Sequence, residues 1–466
     1  MKRSILLTAT CLATLVFNIS CGQLQSQDPH KTGNSSASHE LDLDSIGAVS
    51  WNAIGGNKFY GKDASEFYVY VSVRGNQTEK QKKRVPLNIS IVLDRSGSMS
   101  GDKIVYAKKA AGFVLDQLTG DDILSIVNYD DKVEVTSPSA RVMNKEILHK
   151  KIDELFDRGS TNLTGGMLEG FAQVKSTRKE GYVNRVLLLT DGLANVGITE
   201  PSEMKKLVEK KYMEEGIALS TFGLGADYNE DLLTMLAEMG RANYYFIGSP
   251  DKMPGIFASE LKGLLSVVAQ NAYVEVNVPQ NLECVKVYGF PYEVKSNLVT
   301  IRFNDIYSND QKGILLKFKK KGNLAGDLNF NCSLKFTDAN SFDPVRSSKQ
   351  VEFNFSDNAS AINESKHQSV EEMIALYEST EMFDEIMAEV DRGNYDSARV
   401  RAEKAVTYLK TKQQYIRSDK LKKQEESMAV YSKGIDSVRV MKDEEKKMYQ
   451  KSNKMSNYEV RKGKKN

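Results

Sequence analysis

The stretch that most constrains this chain is Ile89-Ser90-Ile91-Val92-Leu93, an apolar β-branched run that ends abruptly in Asp94-Arg95-Ser96-Gly97-Ser98-Met99. The run has the composition of a fully buried strand, and Gly97 lets the backbone turn sharply behind it. A buried strand of this kind belongs in an open parallel sheet, where ligands collect in the crevice beyond the carboxyl ends of the strands. One carboxylate and two hydroxyls spaced two apart, at Asp94, Ser96 and Ser98, therefore read as oxygen donors for a hard cation. Magnesium suits so small a charge count, with manganese or calcium open as alternatives. A second reading is compatible with the first: Ser98 or Ser100 caps a helix over 102–118.

The surrounding pattern agrees with a layered α/β domain. Strand-like runs at 87–94, 122–129, 132–136, 184–190, 217–223 and 243–247 alternate with amphipathic helical runs at 102–118, 145–155, 165–176, 202–214, 229–239 and 252–265. Such alternation predicts a doubly wound, mostly parallel sheet covered on both faces. With its D-x-S-x-S at the end of the first strand, the sequence resembles the von Willebrand factor type A (VWA) domains, whose metal-ion-dependent adhesion site opens with that motif. The resemblance implies two further loops, and both are present in order: Gly159-Ser160-Thr161-Asn162-Leu163, and Asp191-Gly192 closing the apolar run Leu187-Leu188-Leu189-Thr190. On this resemblance Ser96, Ser98 and Thr161 hold the metal, and Asp94 and Asp191 lie in or just outside its first shell. Gly97, Asn162 and Gly192 shape the loops rather than ligate. An open coordination position would then accept an exposed Asp or Glu of a partner protein.

Outside this domain the chain changes character several times. Residues 1–20 begin with Lys2-Arg3 and continue with an apolar stretch from Ile5 to Phe17, too short to span a bilayer, which reads as an export signal. Cys21-Gly22 follows directly and resembles a bacterial lipoprotein signal with Cys21 as the lipidated residue, although Asn18 departs from that pattern. Plain secretion with cleavage near Ser20 is the alternative, and either route leads out of the cytoplasm. Residues 21–45 are polar and read as a flexible tether. Strand patterns in 46–84, clearest at Phe67 to Val73, precede the α/β domain at 85–266, and alternating strands fill 267–360. The early strands need partners, so the α/β domain is expected to be inserted in a β-sandwich formed with the later ones, or else simply followed by it. The remainder, 361–466, is helical, with a turn at Arg392-Gly393-Asn394-Tyr395 that looks like a single tetratricopeptide unit, one more helix near 420–450 and a basic, frayed tail at Arg461-Lys462-Gly463-Lys464-Lys465.

Charge and composition remove several functions. Lys plus Arg number 64 against 62 for Asp plus Glu, so no global field favours nucleic acid. His30, His39, His149 and His367 fall in none of the three metal-site segments, and no H-E-x-x-H exists to serve a zinc hydrolase. Met99 stands where a nucleophile elbow needs serine, and Tyr228 stands where the dinucleotide fingerprint at Gly223-Leu224-Gly225 needs its third glycine. No P-loop is present, so no catalytic constellation is expected. Cys284 and Cys332 fall on strands of a protein bound for an oxidising compartment, where one disulfide and two separate thiols fit equally. The expected function is metal-dependent protein binding in the cell envelope, on the periplasmic or surface face. A metal-independent scaffold and a regulatory subunit of a membrane complex are the alternatives.

Overall fold

The computed structural model describes residues 41–77, 84–324 and 326–463. The export signal, Cys21 and most of the tether at 21–45 lie outside them, as do residues 78–83. The last residues assigned to that tether are already a strand, Asp44–Ile46, paired antiparallel with Val49–Gly55.

The α/β domain is built on a six-stranded sheet in the order Tyr244–Ile247, Ala218–Leu224, Val183–Thr190, Leu87–Asp94, Ile123–Tyr129, Val133–Arg141. Every pairing is parallel except the last. That antiparallel edge strand runs on to Arg141, beyond the 132–136 read from the sequence, and accommodates Pro138 because an edge position needs no ladder bond from it. Chain order reverses between Leu87–Asp94 and Val183–Thr190, so the topological switch point lies at the carboxyl ends of these two strands. Both are almost wholly buried, which explains their continuous apolar character. Helices Asp102–Gln117, Leu163–Ser176, Pro201–Glu215, Glu230–Met239 and Met253–Leu264 cover the two faces with apolar stripes.

This domain interrupts a β-sandwich, as the orphan strands required. Glu66–Gly75 pairs along its whole length with Gln311–Lys320, setting Phe67 against Phe318 and Val71 against Ile314. One sheet runs Asp44–Ile46, Val49–Gly55, Glu66–Gly75, Gln311–Lys320, Leu282–Tyr288; the other runs Tyr292–Lys295, Leu298–Tyr307, Val267–Asn277, Leu328–Asp338, Pro344–Phe355, Phe59–Tyr60. Trp51, Phe67, Phe318, Phe330 and Phe353 bury themselves in the core the two sheets share. The disulfide raised for Cys284 and Cys332 is not formed. Both are free thiols on strands of opposite sheets, where burial pushes the Cys332 thiol up to about 12.

A short helix, Ala359–Glu364, and four long ones follow: Gln368–Asp391, Tyr395–Ile416, Asp419–Val440 and Asp443–Arg461. The single helix expected near 420–450 is two, broken where Met441 and Lys442 turn extended. Phe383, Met387, Leu409, Met428, Tyr431 and Ile435 form their core. The frayed tail expected at 461–465 is corrected at Arg461 and Lys462, while Lys464 and Lys465 lie outside the described residues. Arg461 pairs with Asp384 at 2.8 Å, and Lys462 donates to the carbonyl of Gly289 at 2.6 Å and pairs with Glu238 at 3.2 Å. Tyr458 joins the core of the α/β domain, so the last helix fastens the helical region to it. Among the described residues no helix is long and apolar enough to cross a membrane.

Candidate metal centre at the sheet switch point

Strand Leu87–Asp94 delivers Asp94 to the switch point with no exposed surface. Its Oδ1 accepts the backbone N–H of Ser96 at 2.8 Å and its Oδ2 accepts the hydroxyl of Thr190 at 2.6 Å. The chain then turns through Gly97–Met99 so that the Ser96 and Ser98 hydroxyls stand 3.1 Å apart. Ser98 Oγ donates to Asp191 Oδ1 at 2.7 Å, which joins the first loop to the one that closes Val183–Thr190. Thr161 is 4% exposed, and a Cβ placed on Gly192 would lie 3.5 Å from Ser98 Oγ and 3.6 Å from Thr161 Oγ1. The structure thus brings Asp94, Ser96, Ser98, Thr161 and Asp191 together around Gly192. Neither Ser98 nor Ser100 caps the following helix. Its N-cap is Gly101 at φ 71°, where a glycine is favoured, and the serine hydroxyls are left to the site.

Backbone bonds stitch the three loops to one another. Gly97 N–H donates to Gly159 O at 3.0 Å, and Arg158 N–H donates to Arg95 O at 2.7 Å. Thr161 N–H donates to Asn195 Oδ1 at 2.8 Å, while Asn195 N–H returns to Thr161 O at 3.1 Å. Asn162 caps helix Leu163–Ser176 by accepting from Gly165 N–H at 3.0 Å, which fits a shaping role. Beneath the loops Asp130 Oδ2 accepts from Arg95 Nε at 2.8 Å and Arg158 Nε at 2.7 Å.

The charges around these loops are unevenly matched. Burial pushes the Asp94 carboxyl up to about 6, against its hydrogen bonds to Thr190 and Ser96 and with the help of the Asp191 charge. Burial acts the same way on Asp130, but Arg158 and Arg95 outweigh it and hold that carboxyl below the ordinary range. Lys103 Nζ lies on Asp191 Oδ2 at 2.5 Å and compensates part of the site's negative charge. The donor set fits a hard divalent cation: it is all oxygen, and the 3.1 and 2.7 Å spacings from Ser98 to Ser96 and Asp191 bracket the roughly 3 Å edge of an octahedron with metal–oxygen bonds of 2.0–2.1 Å.

Sequence reasoning missed Thr190, Asn195, Lys103 and the Asp130 anchor. It also missed a rim of exposed apolar side chains on the same loops, Phe156 at 57% and Leu193 at 55% exposure. The only sequence signal for them was adjacency: Phe156 lies five residues before Thr161 and Leu193 two after Asp191.

An open sheet with oxygen donors at its switch point defines a class of ligand-binding α/β domain rather than one protein. Comparison with known proteins narrows it: residues 88–258 match the model of the von Willebrand factor type A domain, and the chain carries a VWA domain. VWA domains typically mediate protein–protein interaction. The uncharacterized protein YfbK of Escherichia coli (strain K12) is 31% identical over 201 residues, 42% of this chain and 35% of that protein. The uncharacterized protein sll0103 of Synechocystis sp. is 26% identical over 250 residues, 52% of this chain and 59% of that protein. The chain thus spans between about a third and three-fifths of the length of these curated relatives. Among solved structures, a von Willebrand factor type A protein from Catenulispora acidiphila superposes with a TM-score of 0.68 at 14% identity, covering 81% of this chain and 89% of that one. At that identity the likeness speaks for the fold, and it extends well beyond the VWA domain.

Proposed function

We propose that the chain is a metal-dependent protein-binding module of the bacterial cell envelope, whose magnesium-type site is completed by an Asp or Glu of a partner protein. The observation that carries this reading is the convergence of the Ser96, Ser98 and Thr161 hydroxyls with Asp191 above the buried carboxylate of Asp94. Asp94 has both oxygens engaged by Ser96 and Thr190, so it supplies charge from just outside the ligand shell. Few direct charges leave a bound ion electrophilic and ready for a carboxylate. Phe156 and Leu193 extend the surface on which such a partner would rest, which favours an acidic side chain with apolar neighbours. In the same reading Cys21 carries the lipid that holds the module at the membrane, and residues 22–43 give it reach.

Calorimetric titration with magnesium and manganese, on the native chain and on Asp94→Ala, tests the site. Binding to the native chain that is lost in the variant is expected. Partner capture that persists in chelator would favour the metal-independent scaffold instead. Mass spectrometry of the mature N-terminus tests the anchor, with a diacylated Cys21 as the expected species and an unmodified residue after Ser20 as the outcome against it.

A further inference from the structure

We infer that the cavity enclosed by the α/β domain, the β-sandwich and the last helix is a binding site for a small divalent oxyanion of the phosphate or sulfate type, held by Arg241 and Arg302. The cavity measures about 50 Å³. A single water needs roughly 10–15 Å³, so the space suits a ligand of four or five non-hydrogen atoms.

Four segments far apart in sequence build its walls, one of them Phe290 and Pro291. Arg241 comes from the turn between helix Glu230–Met239 and strand Tyr244–Ile247, Arg302 from strand Leu298–Tyr307, and Lys462 from the end of the last helix. Each carboxylate in the lining is engaged by another cation. Glu238 pairs with Lys462 and Arg461, Asp310 with Lys312 at 2.9 Å, and Asp305 with Arg185 at 3.0 Å. The two arginines are left over. The Nε of each is buried without a hydrogen-bond partner among the described residues, an arrangement native interiors rarely keep.

Their other contacts orient them without neutralising them. Arg302 lies over the ring of Tyr273 at 4.7 Å, and Arg241 over Tyr212 at 5.8 Å while donating to Pro291 O at 3.3 Å. Arg241 also occupies the left-handed region at φ 54°, which a residue with a Cβ seldom adopts. Burial, together with the positive charge of Arg302, lowers the proton affinity of Arg241, while Glu209 and Glu293 attract it without forming an ion pair. Two guanidinium groups lining one small cavity are suited to a tetrahedral oxyanion, which can accept N–H bonds from each and cancel their repulsion.

The test is calorimetric titration of the full chain with sodium phosphate and, separately, sodium sulfate, with chloride holding ionic strength constant. Saturable one-to-one binding at millimolar anion is expected, weakened at least about tenfold in Arg241→Gln and in Arg302→Gln. In chloride alone Arg302→Gln is expected to melt no lower than the native chain, because it removes like-charge repulsion. Binding of both anions assigns recognition to charge and shape, and binding of phosphate alone assigns it to that ion. Crystals of the native chain grown with selenate locate the anion by its anomalous scattering, whatever the variants do. Absence of saturable binding to the native chain, equal binding by folded variants, or selenate sited elsewhere would overturn the assignment.

Discussion

The loops around Asp94 and the cavity between Arg241 and Arg302 hold unmatched charge of opposite sign, and they acquired it differently. At the loops a negative excess comes from Asp94 and Asp191, at or just past the ends of two adjacent strands of one sheet, with the loop oxygens already spaced for a cation. At the cavity a positive excess comes from single residues of three different layers of the fold. The contrast teaches that a site built on consecutive residues of one element declares itself as a motif. One built between domains exists only once they have packed. It also separates the two kinds of buried charge near Asp94 itself: Asp130 is fully matched by Arg95 and Arg158, whereas Asp94 is matched only by hydrogen bonds.

The strongest way to break that internal contrast is Asp130→Ala. It leaves the Arg95 guanidinium, which is 4% exposed, with only Glu134 at 2.9 Å, while the half-exposed Arg158 can recover water. Loss of a buried pair's partner costs about 3–5 kcal/mol, and the exposure of Arg158 places this case near 3 kcal/mol. Chemical denaturation at neutral pH measures it. Because the folded-state value of Asp130 is depressed, its contribution is present above the ordinary carboxylate value near 4 and fades as pH falls below that.

Asp94→Asn is expected to do the opposite in metal-free protein. With the carboxyl raised to about 6, ionised Asp94 destabilises the fold above that pH, and the penalty vanishes below about 4 where folded and unfolded forms are both protonated. The variant should gain about 2 kcal/mol at pH 7.5 in chelator, once a weakened hydrogen bond is set against the shift. Thermal melts at pH 7.5 and pH 4 check this, since the gain should disappear at the lower value. The same substitution should weaken magnesium binding roughly 10–100-fold, as expected for a charge acting from just outside the ligand shell. A variant that is more stable without metal and binds it worse separates a ligand site from an ordinary buried acid.

The alternation of strands and helices was legible because burial on both faces of a parallel sheet leaves continuous apolar runs, as in Leu87–Asp94 and Val183–Thr190. The sandwich was legible because Phe67 to Val73 alternates and needs a second neighbour besides Val49–Gly55, which Gln311–Lys320 supplies about 240 residues later. Thr190, Asn195 and Asp130 were not, since each acts on a residue brought near only by the sheet. The tail failed for the same reason. Arg461 and Lys462 look solvated in sequence, yet Asp384, Glu238 and the Gly289 carbonyl await them. Cys284 and Cys332 sit on complementary strands by pattern, but pairing is a matter of position, and they occupy opposite sheets.

The smallest effect concerns Lys103, the one cation among the described residues that pairs with a metal-site acid. Its ammonium lies on Asp191 Oδ2, while the other oxygen of that carboxylate accepts from Ser98. A divalent ion bound among these oxygens shares Asp191 with Lys103 and is repelled by it at short range. Lys103 is 32% exposed, so the interaction is partly screened and contributes at most about 1 kcal/mol. Lys103→Met, which keeps the aliphatic stem, should therefore tighten magnesium binding two- to fivefold by calorimetry, with the difference shrinking as salt is raised. Weaker binding in the variant would instead make Lys103 part of the scaffold that orients Asp191, and would bring the acidic loops closer in character to the matched cluster at Asp130.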